Sequence, residues 1–158
     1  MKLCFICDLH LPYLKDAMQY NAMEWTIDDI REKNPDCIIF AGDITCDGNI
    51  DVYKYYIERM NGLGIPFLYI PGNSDLRCDK TCDEIKNLAS ECKNTVNGTV
   101  IYAVNDSDRN VSQNQLDILD GADCNSIVFM HHPIFSLRDE SRRGMEKWRE
   151  EHKDTMLF

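Results

Sequence analysis

Short apolar runs alternate along this chain with stretches whose apolar residues recur at helical spacing, and this alternation constrains the fold most tightly. Leu3 to Cys7 reads as a buried first strand, Cys37 to Ala41 as a second and Pro66 to Ile70 as a third. Between them, Tyr20, Met23, Ile27 and Ile30 form one helical stripe that Pro35 stops. Val52, Tyr56, Met60 and Leu63 form another, which Gly62 and Gly64 end. A β-α-β-α-β opening predicts a parallel sheet with right-handed crossovers, whose ligand site lies beyond the carboxyl ends of the strands.

The pattern then changes. Thr81-Cys82-Asp83-Glu84 has the form of a capping box, with Ile85, Leu88 and Cys92 continuing along one helix face. Asn94 to Val104 is rich in β-branched residues around Asn97-Gly98, which predicts an antiparallel hairpin. Ser112 to Gln115 offers a second capping box before Leu116 and Leu119, and Ser126 to Met130 reads as a further buried strand. The tail from Arg138 to Lys153 reads as a charged helix anchored by Met145 and Trp148. Without repeats or linkers, residues 1–158 are expected to form a single domain.

With 44% hydrophobic residues the chain can bury a core, and 27 Asp+Glu against 17 Lys+Arg leave a net charge of −10. Such a chain is not built to bind duplex nucleic acid, which needs cationic contacts to phosphate, but it can attract metal cations. No apolar run has the length of a membrane span, and the N-terminal run stops at Asp8, too early for a signal peptide. The expected compartment is the reducing cytoplasm, where the sequons at Asn97, Asn105 and Asn110 carry no weight. Among the eight cysteines, Cys4, Cys7, Cys37 and Cys124 lie in or beside apolar runs and read as buried free thiols. Cys78 and Cys82 are spaced as neighbours on a helix.

Each apolar strand ends in residues of metal-binding type. The first runs into Asp8-Leu9-His10, the second into Gly42-Asp43, the third into Gly72-Asn73-Ser74-Asp75 and the late one into His131-His132-Pro133. Asp8 and His10 would leave their strand with the same facing and could reach one ion. The glycines before Asp43 and Asn73 allow tight turns and close backbone approach. Taken singly, each piece is an ordinary cap, turn or corner; their ordered occurrence at four strand ends is what points to a metal site. Mixed oxygen and imidazole donors suit Mn, Fe or Zn ions.

In order and position, Asp8-x-His10, Gly42-Asp43, Gly72-Asn73-x-Asp75 and His131 resemble the calcineurin-like metallophosphoesterases, from the first strand to about residue 135. The resemblance implies an α/β fold in which a β-sandwich is flanked by helices. It also implies two divalent metal ions, with Asp8 and His10 on the first, Asn73 and His131 on the second, and Asp43 bridging. Asp43, Asn73 and His131 would be the catalytic residues. The implied activity is hydrolysis of a phosphomonoester or phosphodiester, the substrate being a small molecule or nucleotide. A carboxylate suits the bridge because it has two oxygens, and paired ions clamp the attacking and leaving oxygens while lowering the pKa of water.

Two departures qualify this resemblance. Ser74 stands where many members carry a His that acts on the leaving group; members with a small residue there often act on phosphodiesters. No Gly-His-x-His segment follows His132, and the next histidine is His152. Three expectations follow: a short variant completed by water, His152 or a partner subunit; a truncated product; or a catalytically impaired binding scaffold. An open sheet edge would favour a homo-oligomer. Arg138, Arg142 and Arg143 could meet a phosphate, although a solvated helix face explains them more simply. A flavodoxin-like nucleotide binder would need a glycine-rich phosphate loop, which the sequence lacks.

Overall fold

The structure, a computed structural model, describes residues 1–133. The expected tail helix, with Arg138, Arg142, Arg143, Met145, Trp148 and His152, lies outside the described residues. The elements run β1 (Leu3–Ile6), α1 (Met18–Lys33), β2 (Cys37–Ala41), α2 (Ile50–Asn61), β3 (Phe67–Ile70) and α3 (Cys82–Leu88). They continue with β4 (Lys93–Val96), β5 (Thr99–Ala103), α4 (Gln113–Leu119) and β6 (Ile127–Phe129).

Strands β1-β2-β3 form a parallel sheet, as the opening alternation predicts. Strands β4-β5-β6 form a second sheet, antiparallel at the hairpin and parallel between β5 and β6. β2 is buried along its whole length and supplies both interfaces. Its period-two alternation sends Ile38 and Phe40 toward the helices, where they meet Tyr20, Met23, Ile27 and Ile30 of α1 and Tyr53 and Tyr56 of α2. Cys37, Ile39 and Ala41 point the other way and pack with Leu68 and Ile70 against Val96, Ile101, Ala103 and Phe129 of the second sheet. On that sheet's outer face, the turn after α4 covers Tyr102, with the Gly121 backbone set against its hydroxyl. The result is the helix-flanked sandwich that the resemblance implies.

Local chemistry explains most boundaries. α1 buries the four stripe residues and ends where Asn34 turns left-handed at φ 46°, its N–H donating to the Ile30 carbonyl, just before Pro35. Asn49 caps α2 by accepting from the N–H groups of Asp51 and Val52. Asn97 and Gly98 both take positive φ, 48° and 80°, as a tight hairpin turn requires.

Several expectations are corrected. β1 is only half-buried, and Phe5 is 55% exposed with its ring edge-on to Phe129. Its partner β2 covers one side of it, and nothing among the described residues pairs the other. The capping box at Thr81 does not form: that hydroxyl donates instead to the carbonyls of Gly48 and Cys78. α3 stops at Leu88, so Cys92 lies beyond it. At α4 half of the box forms. Ser112 accepts from the Gln115 N–H, while the Gln115 side chain reaches away to Asn105. Cys7 and Cys124 are exposed rather than buried, and all eight thiols are free. No helix of the described residues is long and apolar enough to cross a membrane.

The sandwich interface sets the strongest packing expectation. Ile39 is fully buried between the sheets, so Ile39→Ala should cost about 2–5 kcal/mol of stability, measured by urea unfolding.

Candidate metal centre

The site lies at the carboxyl ends of β1, β2, β3 and β6. Beyond the strands, the loops after β1 and β2 continue to pair. Asp8 donates its N–H to the Gly42 carbonyl, His10 to Asp43 and Leu11 to Ile44. This pairing bends the backbone: Asp8, His10 and Asp43 take left-handed φ of 56°, 49° and 61°, beside Gly42 at 92°. Asp8 and His10 therefore converge through a strained turn, not through the alternation of an extended strand.

Both glycines are required by crowding. A Cβ on Gly42 would stand 2.6 Å from His131 Nδ1 and 2.8 Å from the Gly72 backbone. A Cβ on Gly72 would overlap the side chain and backbone of Asp43.

Asp43 is buried at the centre, at 4% exposure. Its Oδ2 lies 3.5 Å from His10 Nε2 and its Oδ1 lies 3.6 Å from His131 Nε2. His10 Nε2 is also 3.8 Å from Asp8 Oδ1. Asn73 Oδ1 stands 3.3 Å from His131 Nε2. One ligand atom each from Asp8, Asp43 and His131 falls within 4.8 Å of the others. The structure thus brings all five sequence-predicted residues to one place.

The donor set fits a divalent cation. His131 Nδ1 lies 2.8 Å from the Ala41 carbonyl, an acceptor that holds the proton on Nδ1 and leaves the Nε2 lone pair turned to Asp43 and Asn73. Two carboxylates, two imidazoles and an amide oxygen then converge without a cationic side chain among them. A cation would offset the repulsion between Asp8 and Asp43.

Residues without an assigned role turn out to support the five. Ser74 is fully buried and faces Asp43: its N–H donates to Oδ1 at 2.7 Å and its hydroxyl to Oδ2 at 3.0 Å. Asp75, also fully buried, accepts from the N–H groups of Ile44, Thr45 and Gly72 and from the Thr45 hydroxyl. Burial pushes its carboxyl above the usual range, with these donors pulling the other way. Asp106 accepts from the backbone of His131 and His132. Its place directly after a strand, in Val104-Asn105-Asp106, is the same signal that marked the other loops.

The chain belongs to the calcineurin-like phosphoesterase family, whose model matches residues 1–157. It is 24% identical over 155 residues to a Xenorhabdus bovienii protein named as a probable cyclic nucleotide phosphodiesterase, covering 84% of this chain and 63% of that one. It is 26% identical over 133 residues to a glycerophosphodiester phosphodiesterase of Enterobacter lignolyticus, covering 70% of this chain and 46% of the relative. A shorter match, 45% identical over 49 residues, joins 31% of this chain to 18% of an Arcobacter nitrofigilis protein named as a probable glycerophosphodiester phosphodiesterase. The chain spans less than two thirds of the length of each of these relatives.

Two expectations follow from the site. Asp75→Ala strands three buried amide donors, at about 1–3 kcal/mol each, so chemical denaturation should show a loss of at least about 3 kcal/mol. The thiols give a second readout. The Cys7 thiol is pushed up to about 11 by its hydrogen bond to Asp8, then by burial and by the charges of Asp8 and Asp43. Cys78 is lowered, first by its hydrogen bond with Thr81. At pH 8, metal-free protein should therefore be alkylated by iodoacetamide at Cys78 before Cys7, and Cys7 labelling should accelerate as pH rises toward 11. Peptide mapping by mass spectrometry reads both rates.

Proposed function

We propose that the chain is a metal-dependent phosphoesterase in which Asp8, His10, Asp43, Asn73 and His131 hold two divalent ions. The observation that carries this reading is the placement of Asp43. Its two carboxylate oxygens face two different imidazoles, at 3.5 and 3.6 Å, one on each side of the buried residue. A bridging carboxylate needs that disposition. When bound, such ions lower the pKa of water and offset charge on the phosphoryl oxygens.

The remaining work falls to the chain. Asp8 and His10 define the half of the site next to β1, and Asn73 and His131 the half next to β3 and β6. Ser74 holds the Asp43 carboxylate in one plane, so each oxygen keeps a lone pair toward its own imidazole. Ser74 is fully buried and turned inward, so it is not placed to protonate a leaving group. A small-molecule phosphodiester is the preferred class, in keeping with the names of the relatives.

The test is hydrolysis of bis-p-nitrophenyl phosphate and p-nitrophenyl phosphate by protein loaded with Mn²⁺. We expect turnover of the diester above the monoester, its loss on chelation and its return on adding Mn²⁺. Asp43→Ala should fall to the enzyme-free rate. Equal rates for wild type and Asp43→Ala would remove the hydrolytic reading.

A second reading rests on the donor count among the described residues: Asp8, His10 and Asp43 on one side of the site and Asp43, Asn73 and His131 on the other give each half only three protein donors. On that reading the fold is a catalytically impaired binding module. It predicts folded protein with fewer than two metals per chain by mass spectrometry and no turnover.

A further inference from the structure

We propose that Asp106 is the positioning residue for His131, with His132 as its buttress; this rests on the reading of His131 as a metal ligand. Asp106 lies in the loop after β5, outside the five candidate ligands, and is 5% exposed. Its Oδ1 accepts the His131 N–H at 2.9 Å, and its Oδ2 accepts the His132 N–H at 2.8 Å. The His132 ring turns back on the same residue, with Nδ1 3.0 Å from the Asp106 carbonyl and 3.1 Å from Oδ2. One buried side chain thus grips two successive amides and orients one imidazole.

The grip reaches the His131 ring. His132 is held edge-on to it, with centroids 4.7 Å apart and planes at 80°. On another side the Ala41 carbonyl meets His131 Nδ1. Backbone, ring contact and ring nitrogen are each fixed by a different group, so Nε2 has one direction left, toward Asp43 and Asn73.

The grip is itself anchored. Gln115 of α4 accepts the Asn105 N–H at 2.7 Å and donates to the Asn105 carbonyl at 3.1 Å. The Asn105 side chain accepts from the N–H and hydroxyl of Ser107. Asp106 is therefore braced on both sides, through a route from α4 to the site. β6 is only three residues long, so the ladder alone gives His131 little support. A charged acceptor supplies what the short strand does not.

Groups that orient a ligand typically account for a 10–100-fold change in metal affinity. The experiment is calorimetric titration of chelator-treated full chain with Mn²⁺, paired with thermal melts. Asp106→Ala should weaken Mn²⁺ binding by about 10-fold or more while remaining folded. Asp106→Asn keeps an acceptor for one amide and loses the other, so its affinity should lie between the two. Asn97→Ala provides a purely structural control. It disturbs a positive-φ turn at the opposite end of the second sheet and breaks a bond to Asp36. It should lower melting temperature and leave Mn²⁺ affinity unchanged. If Asp106→Ala does not fold, Asp106→Asn decides, and wild-type affinity in that variant overturns the proposal. Wild-type affinity in a folded Asp106→Ala does the same, with the metal site itself intact. Failure of the wild-type chain to bind Mn²⁺ would remove both the positioning role and the function on which it rests.

Discussion

Asp75 is fully buried and accepts four hydrogen bonds, three from backbone N–H groups and one from the Thr45 hydroxyl. Two of those amides belong to the loop after β2 and one to the loop after β3, so a single carboxylate ties the two loops together. The distance between the loops is the constraint on which the site depends. At that separation the Gly72 backbone lies against Asp43, and only glycine fits. At that separation Ser74 reaches both oxygens of Asp43. Leaving an unpaired charge inside a fold costs several kcal/mol; here the charge is met by convergent dipoles, and its placement stiffens the loop ends.

The same rigidity holds a strained backbone. Non-glycine residues at positive φ cost about 1–3 kcal/mol each when held there by their surroundings, and Asp8, His10 and Asp43 are all so held. The pairing of the β1 and β2 loops beyond the ends of their strands supplies the restraint. The strain has a geometric product. An extended strand would have carried Asp8 and His10 away along its axis, whereas the left-handed turns fold both side chains back over Asp43. The side chains of Asp8, His10 and Asp43 are thus brought together by the backbone itself.

How far the sequence foretells this structure depends on the range of the interactions involved. The stripe of α1 and the buried run of β2 are legible because apolar periodicity records which face meets the core, and both form as that periodicity predicts. The strand-end residues are legible for a related reason, since β1, β2 and β3 run parallel to one another, as do β5 and β6, and the loops after them begin with the polar residues. Long-range competition for donors is not written in local pattern. Thr81 has the local form of a cap, yet the Gly48 carbonyl across the fold takes its hydroxyl. Gln115 has the form of the second half of a box, yet Asn105 takes its side chain. Cys7 follows an apolar run, yet it falls outside the strand and into solvent. Asp106 shares the strand-end position, but its role depends on the meeting of β5 with β6.

Four carboxylates crowd these loop ends in a chain already carrying net charge −10, and their environments divide them into two pairs. Asp75 and Asp106 spend their lone pairs on buried donors of the protein itself. Their charge is met internally, and each fixes backbone. Among the described residues Asp43 has only Ser74 as a hydrogen-bond donor, and its oxygens face His10 and His131. Asp8 is half-exposed, with its carboxylate 3.8 Å from His10 Nε2. Neither Lys nor Arg is paired with Asp8 or Asp43 among the described residues. A fold that satisfies two acidic residues completely and leaves the two beside them short of positive charge places its unmet electrostatic demand at one point. The imidazole nitrogens and the amide oxygen at that point are donors that a divalent cation can share with the two carboxylates.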